Sequence, residues 1–369
     1  MAFSFRGLSD MLAKALSSFS PGKDSESVLG VDIGTSSIKV IQAKRVRGVA
    51  VLETYGEVAL GPYANVDVGQ AVSPPPEKVG EALADVMRAA NVTAKSGGFS
   101  IPLSGSLISV ISMPTKDTSA LATMVPIEAR KYIPVPVSEV SLDWFVIPEE
   151  EAEFLGPQGA ERKRNATDVL LVAIHNQVLE RFATITKSAG VTARFFEAEP
   201  FSMGRASYEH TTTPVMIIDM GASSTRSYVV EFGIIAVSHT VPRGGQDVTL
   251  ALSKSQGITF DEAENLKRSK GLNAADSGSA VIEFIFSEAR RIYLTYQRKE
   301  GKVISKVVLV GGAAELAGIT EIAARYFDAP IALGTPFEKL AAPAFIGDVL
   351  KTTGPSFASA IGLALRALQ

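Results

Sequence analysis

Cysteine is absent from this 369-residue chain, which excludes disulfides, thiolate metal clusters and thiol nucleophiles and leaves a reducing compartment open. The only histidines, His175, His210 and His239, lack the spacing of metal ligands and read as surface or packing residues. No apolar run approaches the roughly 18 to 20 residues that span a bilayer, and the amino terminus lacks the basic start, long apolar stretch and small-residue cleavage site of a secretory signal. The expected location is therefore the cytosol. Charge of neither sign dominates, with a net charge of -3, so bulk attraction to nucleic acid or anionic lipid is not expected and no nucleic-acid partner is assigned. Neither G-x-G-x-x-G nor G-x-x-x-x-G-K-[ST] occurs, which excludes the Rossmann fingerprint and the P-loop.

With 46% hydrophobic and 20% charged residues, the chain can bury a large core and fill two or more domains. Its most informative feature is a pattern stated twice. Val28 to Ser37 reads Val-Leu-Gly-Val-Asp-Ile-Gly-Thr-Ser-Ser, and Val215 to Ser224 reads Val-Met-Ile-Ile-Asp-Met-Gly-Ala-Ser-Ser. Each block is an apolar strand ending in Asp-x-Gly, a small hydroxylated turn, and two further strands, to about Leu60 in the first copy and Val241 in the second. Each turn offers backbone N–H groups and small side chains to an anion. Two such turns facing each other would clamp a nucleotide phosphate.

Along the chain, Met1 to Phe19 plots as a one-sided helix, with Phe5, Leu8, Met11, Leu12, Ala15, Leu16 and Phe19 on one face. Ser20 to Ser27 reads as a flexible tether. Two readings of the helix stay open: it packs on its own domain or frays, or it docks on a membrane surface or a partner. Helical spacing returns at Pro76–Asn91, a short strand at Gly98–Pro102, and from there to about Ala173 the texture is that of an inserted small α/β unit. Within it, Glu149 to Arg164 reads as a solvated loop. Beyond Gly244 the pattern is mostly helical, at Asp247–Gln256, Thr259–Lys270 and Ser279–Lys299. A strand then runs from Lys306 into Gly311-Gly312, with a helix expected from Glu315 and another closing the chain at Phe357–Leu368.

Asp32 and Asp219 lead the candidates for chemistry. A carboxylate at the end of a buried strand beside a phosphate turn can hold Mg2+ through water, since Mg2+ dehydrates reluctantly; a lone Asp there would more simply cap the turn, but two in matching contexts favour the metal. Lys39, seven residues after Asp32, can reach back to phosphate oxygens as a point charge. Gly311 and Gly312 allow backbone to approach a flat ring or a phosphate. Glu264 and Lys267 share one helix face, where an i,i+3 ion pair is the simplest reading.

The order of these pieces resembles the actin, Hsp70 and hexokinase superfamily, and within it the PilM family of type IV pilus assembly proteins, relatives of the cell-division protein FtsA. The resemblance covers nearly the whole chain from Val28 onward. It is carried by Ile127-Glu-Ala-Arg-Lys-Tyr-Ile-Pro-Val-Pro136, Leu142-Asp-Trp144, Gly245-Gln-Asp-Val-Thr249, Glu262-Ala-Glu-Asn-Leu-Lys267 and Ala360-Ile-Gly-Leu-Ala364. It implies an α/β, actin-like fold of duplicated RNase H-like domains with an inserted 1C subdomain. Subdomain 1A would take 28–97, 174–213 and 355–369, 1C 98–173, 2A 214–244 and 303–354, and 2B 245–302, after an amphipathic helix and linker at 1–27.

The resemblance further implies ATP and Mg2+ as ligands. Phosphate contacts would come from Gly34, Thr35, Ser36, Ser37 and Lys39, and from Gly221, Ala222, Ser223, Ser224 and Thr225. Asp32 and Asp219 would hold the metal's water shell, Glu264 and Lys267 would bracket the ribose, and Gly311 with Gly312 would pass under the adenosine. Glu199 matches the place from which a carboxylate orients the attacking water in hydrolytic relatives, although it also reads as a plain helix N-terminal acid. The second turn, Gly-Ala-Ser-Ser, departs from the Gly-Gly-Gly-Thr common in hydrolytic relatives and puts Cβ atoms where backbone would close on the γ-phosphate, which favours binding over turnover.

The implied function is an ATP-binding cytoplasmic scaffold of the pilus inner-membrane platform. Its expected partners are the cytoplasmic amino-terminal tail of PilN, gripped between 1A and 1C, and other platform proteins, with self-association and peripheral membrane attachment through residues 1–19. The alternatives are an FtsA-like filament-forming membrane tether, against which counts an amphipathic segment placed at the front rather than after the closing helix, and a small-molecule kinase, for which no substrate motif is found.

Overall fold

The computed structural model describes residues 26–152, 166–209, 212–271 and 277–369. The amphipathic segment Met1 to Phe19, His210, and most of the loop read at Glu149 to Arg164 lie outside the described residues.

Two five-stranded sheets repeat one topology. The first is ordered β3-β2-β1-β4-β8, from β1 (Val28–Ile33), β2 (Ser37–Val46), β3 (Val49–Ala59), β4 (Ser96–Ile101) and β8 (Thr192–Ala198); the second is β11-β10-β9-β12-β13, from β9 (Val215–Met220), β10 (Thr225–Glu231), β11 (Ile234–Val241), β12 (Lys306–Val310) and β13 (Ile331–Leu333). In both, the first three strands form an antiparallel meander and the last two add in parallel. Parallel strands covered on both faces read as unbroken apolar runs, and β9 is buried along its whole length. That burial is why the doubled block stands out in the sequence.

Helices Pro76–Ala89 and Asn176–Ala189 pack on one face of the first sheet, burying Val79, Leu83, Phe182 and Ile185 against Leu29 and Phe99. Helices Gly245–Gln256 and Ser277–Glu300 cover the second sheet. The remaining faces turn toward each other across helix Glu199–Ser207 and the closing helix Ala358–Ala367, where Met203 and Ala358 join Ile217, Tyr228 and Val308 in one core.

The insert is a separate three-stranded antiparallel sheet, β5-β7-β6, of β5 (Ser106–Met113), β6 (Val140–Val146) and β7 (Thr167–His175), backed by helix Thr118–Ala129. Its boundary differs from the expected 98–173. The strand at Ser96–Ile101 pairs with β1 and β8 and so belongs to the first sheet; the insert starts after Pro102. A second difference follows Gly312. A single 3-10 turn, Gly312–Glu315, replaces the expected helix, and α-helix resumes only at Ile319–Ala323, because Leu316 is extended and Gly318 has φ +85°.

The closing helix sits on backbone rather than on side chains. A Cβ on Gly362 would lie 1.9 Å from the Ser202 carbonyl oxygen, and one on Gly30 would lie 2.0 Å from that of Ala360. The Ala-Ile-Gly-Leu-Ala segment is thus small because helix, strand and neighbouring helix touch main chain to main chain. The same helix ends in a buried ionic triad. Glu197 accepts from Arg205 at 2.7 and 2.8 Å and from Arg366 at 2.7 Å, and the Arg366 guanidinium lies 4.5 Å from the Phe195 ring centre.

Two outcomes are expected. Gly362→Ala lowers stability by about 1–3 kcal/mol through overpacking, whereas Gly347→Ala, at an exposed site with nothing within 4 Å of the new Cβ, changes it by under about 0.5 kcal/mol; thermal midpoints compare them. Burial opposes ionisation of Glu197, yet the Arg205 and Arg366 guanidiniums outweigh it and hold the carboxyl below its usual range. Its stabilisation is complete above the unfolded value of about 4.3 and is lost as pH falls through the lower folded value. Glu197→Gln therefore costs about 3–5 kcal/mol at pH 7 by stranding two buried cations, and urea midpoints across pH 3 to 7 show a shallower acid limb.

Candidate functional site

The two Asp-x-Gly turns are built alike. The N–H of Gly34 donates to the Ser37 carbonyl at 3.0 Å, and that of Gly221 donates to the Ser224 carbonyl at 3.1 Å. The turn carbonyls are tied back as well. Thr35 and Ser36 carbonyls accept from Val72 and Leu60, and Gly221 and Ala222 carbonyls accept from Gly245 and Gln246 at the start of helix Gly245–Gln256. What each turn has left to offer is its hydroxyls and its remaining N–H groups, an anion-binding arrangement.

The turns face each other. Thr35 Oγ1 stands 3.3 Å from Ser223 Oγ, 188 residues away in sequence, on the wall of a cavity of about 670 Å3 that runs between the lobes, a ligand-sized volume. A second bridge crosses at the rim, where the N–H of Ala71 donates to Gln246 Oε1 at 3.0 Å. Beside it the Gly69 backbone, at φ +92°, runs so close to Glu264 that a Cβ would lie 2.7 Å from its carboxyl carbon.

The structure brings nearly all of the expected residues to this cavity: Asp32, Gly34 to Ser37, Lys39, Glu199, Asp219, Gly221 to Ser224, Glu264, Lys267, Gly311 and Gly312. Thr225 is the exception. It is fully buried, does not line the cavity, and its hydroxyl donates to the Arg243 carbonyl at 3.0 Å within the second lobe. Gly311, at φ +89°, is fitted to the protein itself, since a Cβ there would lie 2.6 Å from Asp219 Oδ1, while Gly312 faces open space. Glu264 and Lys267 form the expected i,i+3 ion pair at 2.5 Å. Both Glu264 oxygens are engaged, one also by the Thr249 hydroxyl at 2.6 Å and the other by Arg268 at 2.7 Å.

Lys39 donates to Ser37 Oγ at 2.7 Å and pairs with Glu57 at 2.9 Å. Asp32 accepts from the buried Ser100 hydroxyl at 2.5 Å. Around Asp219 stands a residue that the sequence reading did not single out. Arg226, on β10 in register with Asp219, places Nη1 at 3.3 Å from the Asp219 carboxylate and 3.1 Å from that of Glu199. Glu199, also accepting from the Leu103 N–H at 3.3 Å, therefore reaches the cavity with a guanidinium already against it. A signal for Arg226 was present: it lies seven residues after Asp219, as Lys39 does after Asp32.

The charges do not balance. The Asp32 and Asp219 carboxylates raise the proton affinity of Glu199, and that of Asp32 raises the proton affinity of Asp219, with Arg226 as the direct cationic partner of Glu199 and Asp219. Burial is the main cause of the shifts, pushing Glu199 up to about 8 and Asp219 above the usual carboxylate range against the pull of Arg226. A surplus of buried carboxylate on a phosphate-sized gap suits a divalent cation held through water. Among the described residues no cluster of His, Asp and Glu is placed to ligate a metal directly.

Comparison with known proteins agrees with this architecture. A family model for the type IV pilus assembly protein PilM matches residues 30–368. The cell-division protein FtsA of Neisseria meningitidis serogroup B (strain ATCC BAA-335 / MC58) is 26% identical over 270 residues, 64% of each chain, and FtsA of Bacillus subtilis (strain 168) is 22% identical over 276 residues, 69% of this chain and 60% of that one. The chain thus matches less than two thirds of the length of these relatives. Among solved structures, a PilM-PilN type IV pilus biogenesis complex superposes with a TM-score of 0.77 at 21% identity, covering 93% of this chain and 98% of the other. MreB5 of Spiroplasma citri, bound to ADP, gives 0.50 at 12% identity, covering 92% and 96%. The fold is actin-like, and the chain belongs to the PilM family of type IV pilus assembly proteins.

Proposed function

We propose that this protein is an ATP-binding scaffold of the type IV pilus machine, working at the cytoplasmic face of the inner membrane, in which nucleotide holds the two lobes together and so sets the surface shown to a partner. The observation that carries this reading is the meeting of the two turns, Thr35 against Ser223, on one cavity between the lobes. No helix among the described residues is long and apolar enough to cross a membrane.

In this reading the phosphates lie between Gly34 to Ser37 with Lys39 on one side and Gly221 to Ser224 on the other. Asp32 and Asp219 hold Mg2+ through water, and the metal, when bound, neutralises phosphate charge. Glu264 and Lys267 border the ribose as one rigid ion pair, and Gly312 leaves room for the adenosine. Hydrolysis is slow in this reading, because Glu199 is already engaged by Arg226 and by the Leu103 N–H. A carboxylate so engaged is poorly placed to orient an attacking water.

The proposed partner is the cytoplasmic amino-terminal tail of PilN, the protein named with the pilus relative above. The insert offers a fitting surface. Ile127 and Tyr132 are exposed there, beside a shallow groove lined by Arg130 and by Val135 to Ser138, where the chain enters a short 3-10 turn. Chain with few free N–H donors, such as Pro134 to Pro136, suits apolar contact more than strand addition.

One experiment tests both halves. Thermal shift with Mg–ATP is expected to raise the melting point of the native protein and leave Asp32→Ala unmoved, with the unliganded variant melting within a few degrees of native. Fluorescence anisotropy of a labelled PilN tail peptide is expected to show tighter binding with ATP than without, in the native protein alone. No ATP shift in the native protein sinks the nucleotide half; no peptide binding at high micromolar concentration sinks the partner half.

A further inference from the structure

We propose that Arg226 is the second lobe's phosphate cation, its guanidinium taking the terminal phosphate of a bound nucleoside triphosphate as the counterpart of Lys39 in the first lobe. This rests on the reading of the cleft as a nucleotide site and adds the residue that distinguishes triphosphate from diphosphate there.

The internal repeat is the first ground. Lys39 stands opposite Asp32 in the β1–β2 register, and Arg226 stands opposite Asp219 in the β9–β10 register. Duplication has thus placed one long cationic side chain at the same point of each lobe, and both line the same cavity. A cation on only one side of the gap would leave the far end of a polyphosphate facing Asp32, Asp219 and Glu199 with nothing but the metal between them.

The second ground is how Arg226 is held. Its ion pairs with Glu199 and Asp219 both use Nη1. Among the described residues the one side-chain hydrogen bond that Arg226 makes is from Nη1 to Asp219, which leaves the Nε and Nη2 donors for a ligand. A guanidinium edge matches two phosphate oxygens, which a lysine point charge cannot do. Glu199 and Asp219 therefore act as positioning residues: they anchor one corner of the fork on the cavity wall and leave the remaining donors for the ligand. Lys39 has no comparable freedom, being held by Ser37 and Glu57.

The test is equilibrium binding of two probes, a Mg2+ complex of a non-hydrolysable ATP analogue and Mg–ADP, to the native protein, Arg226→Lys, Arg226→Gln and the double variant Glu199→Gln/Arg226→Gln. Native protein is expected to prefer the triphosphate. Arg226→Gln is expected to weaken it by about tenfold, the scale of one lost charge-assisted contact, while ADP affinity changes by less than about threefold; Arg226→Lys falls between. The double variant, which removes Glu199 together with the cation that faces it, is expected to lose the same preference, so a defect caused by leaving Glu199 unpaired in Arg226→Gln does not decide the matter. Equal losses for both nucleotides, or a triphosphate preference unchanged in the double variant, overturns the proposal. Native protein that binds neither nucleotide removes the underlying reading and this proposal with it.

Discussion

The cleft depends on one constraint: each Gly-Ser turn closes on itself and has its carbonyls tied back into its own lobe. A turn with free carbonyls would present negative edges to phosphate. With Val72, Leu60, Gly245 and Gln246 donating to those carbonyls, the two turns can face each other with hydroxyls and N–H groups between them. The rest of the architecture maintains that apposition. The closing helix meets β1 and helix Glu199–Ser207 backbone to backbone, and the Glu197 triad pins its far end. Both features hold the floor under the site, to which the closing helix itself contributes only Ala358 and Ser359 at its first turn.

The charge pattern explains why such a site suits a latch better than an engine. Three carboxylates converge on a gap in which one guanidinium is shared by two of them. Burial favours the protonated forms of Glu199 and Asp219, and the incoming ligand pair, polyphosphate with a divalent cation, would complete the charge balance. Glu199, the carboxylate expected from the family resemblance to orient water, is already against Arg226. Binding and turnover thus draw on the same charges, and the arrangement favours binding. The small side chains of Ala222 and Ser223 in the second turn act in the same direction.

The sequence carried the fold because parallel strands buried on both faces must be apolar throughout, which made the doubled block visible without any alignment. It carried the Asp and glycine positions for the same reason. It failed where side-chain parity decides. Thr225 and Arg226 are neighbours on one strand and point to opposite faces, so assigning the phosphate contact to Thr225 put it on the core side, and the cavity-facing Arg226 was passed over. The insert boundary was misplaced because the edge of a sheet domain is set by pairing: Ser96–Ile101 looks like any short strand until its partners β1 and β8 are known. Cross-lobe contacts such as that of Ala71 with Gln246 leave no local trace at all.

Enclosure of a nucleotide between the lobes can be measured directly, because the chain has no native cysteine. Ala71→Cys and Gln246→Cys, at the rim where the lobes already touch, can be joined by a short cleavable thiol crosslinker after loading with fluorescent ATP and Mg2+. The account predicts that crosslinked protein keeps about one nucleotide per chain, matching a single cleft site, through gel filtration and releases it when the link is cleaved. Nucleotide that leaves the crosslinked and cleaved forms at the same rate would contradict it.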